Sequence, residues 1–236
     1  MRAAVSGMRK MNLRVACAVA GATIALLAGS AAQAHVVWTQ WATNFAGSAG
    51  SVGVTYTGEA SGLIFPGGGS FQGYIPNSSF TGGPVTNVPT DANGAIKLLG
   101  GGGDDAVTDT VTFSQALLNP VFLIWSLGQG GLPTSFVFQG SPSISVVAGG
   151  PTSQYGGGPL QLISPTAVGV EGNGVLQFHG SVTSIAWTNP SREDYYAFTV
   201  GNVVPEPSTW ALMLVGFGGL GAMLRQRRVR TVATTA

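Results

Sequence analysis

Val121-Phe122-Leu123-Ile124-Trp125-Ser126-Leu127 is apolar at every position but Ser126, and lies between Asn119-Pro120 and Gly128 in a chain of 236 residues. Seven residues are too few for a buried helix, and they fit a central strand covered on both faces or nearly so. The flanking sequence is different. Val52, Val54 and Tyr56 alternate with small or polar residues, as do Val111 and Phe113, Phe136 and Phe138, Ile144 and Val146, Ile185 and Trp187, and Tyr196, Phe198 and Val200. A period of two puts each set on one face of a strand, with the other face wet. Asn173-Gly174, between 168–170 and 175–178, predicts a type I′ hairpin, because both of its turn positions need φ above zero. Glycine- or proline-rich breaks fall at 66–70, 81–84, 100–103, 149–151 and 156–159. No amphipathic 3.6-residue period occurs between His35 and Val204. The expectation is an all-β fold: a single antiparallel β-sandwich or jelly-roll-like domain.

The two ends follow other rules. Arg9, Lys10 and Arg14 precede an apolar stretch at 15–29, and Ala32-Gln33-Ala34 has the small-x-small form of a cleavage site. A signal peptide at 1–34 is expected, passed through the Sec translocon and removed by signal peptidase to expose His35. Met1, Met8 and Met11 can each serve as its start. Cys17 stands at the beginning of the apolar run rather than after it, so it is not placed for lipidation.

At the other end, Pro205-Glu206-Pro207-Ser208-Thr209-Trp210-Ala211 leads into an apolar run and then Arg225-Gln226-Arg227-Arg228-Val229-Arg230. The prolines fix their own φ and bias Val204 and Glu206 toward extended backbone, which makes a presented, strand-like segment. Trp210 suits a membrane interface, and a transmembrane helix is expected over about 208–224 with a basic stop at 225–230. That span is short. The fifteen residues from Trp210 to Leu224 rise about 22 Å, against a hydrocarbon core of about 30 Å. Gly216, Gly218, Gly219 and Gly221 weaken it further. The arginines place the C-terminus in the cytoplasm and everything before Pro205 across the membrane. The resulting partition is 1–34, an exported domain at 35–203, and a tail at 204–230 whose motif is 205–211.

With Pro205, Glu206, Pro207, Trp210 and Ala211 followed by the apolar run and Arg225, Arg227, Arg228 and Arg230, the tail resembles the sorting segment of PEP-CTERM proteins, in the variant that carries Trp-Ala. The resemblance implies recognition and cleavage near 205–207 by exosortase, a membrane protease-transpeptidase of Gram-negative bacteria that build exopolysaccharide. Release or transfer to the cell surface would follow. The stretches 111–128 and 178–201 also resemble mature-domain sequence common among such proteins, and no defined activity travels with them.

Setting both ends aside changes the composition. Between His35 and Val204 the basic residues are Lys97 and Arg192, and the acids are Glu59, Asp91, Asp104, Asp105, Asp109, Glu171, Glu193 and Asp194, a formal charge of −6 where the whole chain carries +1. Nucleic acid is a poor partner for such a surface. Cys17 and all five methionines lie in the terminal segments. Disulfides are therefore excluded from the exported domain.

Catalytic signatures are missing: the sequence has no Gly-x-Ser-x-Gly elbow, no His-Glu-x-x-His and no Gly-x-x-x-x-Gly-Lys. A non-enzymatic protein is expected. Asp91-Ala92-Asn93-Gly94 opens like a calcium loop, but Ile96 and Gly102 stand where an EF-hand needs glycine and glutamate. Asp104, Asp105 and Asp109 follow the glycines at 100–103 and are the candidate Ca²⁺ ligands, set against the plainer reading of a solvated acidic turn. His35, once N-terminal, could clamp copper together with His179 as in polysaccharide monooxygenases. That is the remote enzymatic alternative. The leading expectation is a structural or adhesive surface protein working among exopolysaccharide in biofilm or floc formation. Its rival is a carbohydrate-binding module, with Tyr74, Tyr155 or Tyr195 stacking on sugar rings.

Overall fold

The computed structural model describes residues 34–64, 77–90, 92–98, 107–150, 157–191, 195–205, 213–221 and 225. In chain order the strands are β1 (Ala34–Trp38), β2 (Gln40–Trp41), β3 (Ala46–Ala49), β4 (Val52–Thr57), β5 (Ala60–Ile64), β6 (Ala95–Leu98), β7 (Thr108–Leu118) and β8 (Val121–Leu127). They continue with β9 (Thr134–Phe138), β10 (Ile144–Gly149), β11 (Gln161–Ile163), β12 (Thr166–Gly169), β13 (Gly172–Phe178), β14 (Ser181–Thr188) and β15 (Tyr196–Pro205). Helical geometry among the described residues is confined to a 3-10 turn at Asn77–Ser79, the stretch 213–221 and residue 225.

The strands form two antiparallel sheets. One runs β10-β13-β8-β15-β6-β5, with β1 also on β15; the other runs β11-β12-β9-β14-β7-β4-β3-β2. Ring contacts join their facing sides: Trp187 of β14 meets Phe198 of β15 at 4.9 Å, and Tyr56 of β4 meets the same ring at 5.2 Å. Phe122 stacks on Phe198 at 5.1 Å and meets Trp187 edge-on at 5.0 Å. Edge-to-face packing of this kind adds to simple area burial.

β8 is the central strand that its apolar run predicts. It lies between β13 and β15. Phe122, Ile124 and Leu127 enter the core between the sheets, while Val121, Leu123 and Trp125 enter a second cluster with Val36, Trp38, Phe80, Val85 and Val175. That second cluster covers the outer face of the β8 sheet with residues from the segment 80–88, so both faces of β8 are apolar-packed. The alternating sets on β4, β7, β9, β14 and β15 also point into the core as their period requires.

Two expectations are corrected. Asn173-Gly174 is not a hairpin turn, because both residues lie inside β13 and β12 belongs to the other sheet. The Asn173 amide is used differently: its Oδ1 accepts from the Ser126 N–H at 2.9 Å and its Nδ2 donates to the Glu171 carbonyl at 2.8 Å. A Cβ on Gly174 would lie 2.5 Å from the Ala148 carbonyl oxygen, so the glycine serves close strand approach rather than positive φ. In β10, Ile144 and Val146 do not share a buried face. The ladder shifts register between Val146 and Ala148, leaving Val146 exposed and turning Ala148 into the outer cluster.

Candidate functional site

β15 carries the sorting segment, and its construction explains how that segment is held. Tyr196, Phe198 and Val200 anchor it in the core, with Ala197 in the outer cluster. β8 pairs with it over Ala197–Gly201 and β6 over Tyr196–Phe198. Beyond Gly201 its partner is β1, in the register Ala34↔Pro205, His35↔Val204, Val36↔Val203 and Val37↔Asn202. The first and last strands of the domain thus lie side by side, and Ala34 of the expected signal-cleavage site stands opposite Pro205.

Gly201 makes this pairing possible. A Cβ there would fall 2.3 Å from Val36 Cγ1 and 3.0 Å from Trp38 Cε3. The outer edge of β1 is closed by side chains. Asn87 accepts from the Val36 N–H and donates to the Val36 carbonyl, both at 2.9 Å, so its amide stands in for a neighbouring strand. The Thr86 hydroxyl donates to the Ala34 carbonyl at 2.9 Å, and the Trp38 indole N–H donates to the Asn87 carbonyl at 2.9 Å. An edge blocked in this way offers no ladder to another chain.

Of the motif residues, Pro205 closes the ladder, where its missing N–H is tolerated at a strand end. Glu206, Pro207, Trp210 and Ala211 lie outside the described residues, as do Arg227, Arg228, Arg230 and the signal segment through Ala32. The helical residues 213–221 expose Met213, Leu214, Val215, Phe217 and Leu220, and Arg225 is exposed too. Among the described residues no helix is long and apolar enough to cross a membrane.

Asp109 is not a loop acid. It is the second residue of β7 and shares the inward face of Val111 and Phe113, fully buried. Its Oδ1 accepts from the Tyr56 hydroxyl and, at 3.0 Å, from the Glu59 N–H, while its Oδ2 has no hydrogen bond. Gly58, at φ 147°, lets the β4–β5 turn close over the carboxyl, since a Cβ there would collide with Asp109 Oδ1. Burial raises the Asp109 carboxyl above the ordinary aspartate range against the lowering effect of its two donors, and burial together with Asp109 raises the Tyr56 phenol. Its parity with Val111 and Phe113 is the sequence signal that marks it as interior. Asp104 and Asp105 lie outside the described residues, and among those described no group of three or more His, Cys, Asp or Glu could hold a metal ion.

The two histidines do not form a clamp. His35 is exposed on β1 and His179 follows β13, with β15 and β8 between those strands. Three strand spacings separate them by about 14 Å, too far for one ion. His179 Nε2 instead pairs with Ser145 Oγ at 2.9 Å. Tyr195 is exposed, with the Lys97 ammonium 4.0 Å over its ring and Trp125 edge-on at 5.1 Å. Tyr74 and Tyr155 lie outside the described residues.

Comparison with known families agrees with the tail. The profile of the PEP-CTERM protein-sorting motif matches residues 203–228. The chain therefore carries a C-terminal sorting motif, which implies export, anchoring and processing by exosortase. The match begins within the last three residues of β15. No curated protein and no solved structure matches the chain.

Proposed function

We propose that this is an exported, non-enzymatic structural protein of the cell surface or extracellular matrix. Residues 1–34 act as a signal peptide for the Sec translocon and signal peptidase, and the β-rich domain folds as a sandwich of jelly-roll type outside the inner membrane. The apolar tail anchors it transiently, with the basic stop on the cytoplasmic side, until exosortase cuts near 205–207. The released domain then works among exopolysaccharide in biofilm or floc formation. The observation that carries this reading is the match at 203–228, joined without a spacer to the last strand of an all-β domain.

Mass spectrometry of secreted protein should give an N-terminus at His35 and a C-terminus within 205–207. Released material that still carries 225–230 would refute processing. Binding to exopolysaccharide prepared from the same cells, by sedimentation with and without chelator, tests the matrix role. Recovery of all the protein in the soluble fraction under both conditions would remove it.

A further inference from the structure

The last four residues of β15 are held differently from the rest. From Tyr196 to Gly201 the strand is paired with β6 or β8, whereas Asn202–Pro205 are paired with β1 alone. The sorting-motif match begins at residue 203, inside that singly held segment. β1 itself is a short strand, seated by Val36 and Trp38 over Gly201 and tied on its outer side by Asn87.

A protease binds its substrate as an extended segment, and its own edge pairs with the substrate's N–H and C=O groups, as a peptide adds to a sheet. While β1 is seated, its ladder occupies those groups on one side of Asn202–Pro205. An enzyme working on the folded domain is confined to bonds beyond Pro205 and has few residues to grip ahead of the cut. Release of β1 extends the available segment back to Asn202 without disturbing the pairs β15 makes with β6 and β8. Such a short edge strand opens at lower cost than the whole domain, and cleavage through an open state follows its population when opening is fast.

We propose that β1 is a removable clamp on the sorting motif, and that its release from β15 governs how readily the tail is processed. This rests on the reading that the tail is cut at all. The exported domain has no cysteine, so Val37→Cys with Asn202→Cys, at directly opposed half-buried positions, creates a single cross-link at a separation antiparallel partners allow.

Pulse-chase labelling of the full chain in cells that carry the processing enzyme reads the tail-shortened product. The oxidised double variant should lose that product, and each single variant, or growth with a thiol reductant, should restore it. Asn87→Ala, which frees the outer edge of β1, should speed its appearance. Shortening of the cross-linked chain at the wild-type rate, or an unchanged rate for Asn87→Ala, would overturn the clamp alone. A wild-type chain that keeps its tail would instead overturn the processing reading, and the clamp with it.

Discussion

Asp109 shows how one residue's phase along a strand outweighs its neighbours in sequence. It follows two other aspartates and a run of glycines, yet its place in β7 puts it inside, bonded to Tyr56 and the Glu59 N–H. Because its folded pKa is raised, the stability it contributes is fully present below the unfolded value of about 3.9 and is lost as pH rises through the folded value. Asp109→Asn keeps an acceptor for both donors and removes the buried charge. Thermal unfolding measured from pH 4 to 8 should therefore be flatter in the variant, with its advantage over wild type growing toward neutral pH. Equal pH dependence would refute the assignment. Gly201 is the second residue whose role is set by contact. Gly201→Ala forces Val36 and Trp38 away, and overpacking of this kind costs about 1–3 kcal/mol in urea unfolding.

At the scale of elements, β8 and the alternating strands were legible because burial imposes a period that each short segment carries within itself. The partners were not. From β6 onward nearly every connection passes from one sheet to the other, with β11–β12 the exception. Asn173-Gly174 therefore reads locally like a turn, while the actual reversal from β12 to β13 uses Glu171 at φ 50° and crosses between layers. No local pattern distinguishes an asparagine that turns a hairpin from one that bonds Ser126 on a neighbouring strand. The pairing of β1 with β15 was equally hidden, since it joins segments at opposite ends of the domain. Phe122 has ring contacts with strands of both sheets. Phe122→Ala should cost about 3–5 kcal/mol by denaturant unfolding, and a loss below 1 would contradict its central placement.

For the whole molecule, the sorting tail was readable from one contiguous stretch because recognition and membrane insertion both act on local sequence. Among the described residues, those beyond Pro205 are exposed and none joins either core cluster. Truncation after Pro205 should therefore leave the unfolding temperature of the domain within about 1 °C of the full chain, against the 2–4 °C that 1 kcal/mol is worth in a domain of this size. A larger fall would show that the tail supports the fold.

Antiparallel neighbours whose free ends emerge together have a mechanical consequence. A pull between His35 and Pro205 acts across the ladder rather than along it, so the pairs of β1 and β15 bear the load one after another instead of jointly. Tension between the two ends would peel the first strand away at low force. A drag on the distal body of the domain, transmitted to the tail alone, meets the firmer hold of β15 between β6 and β8.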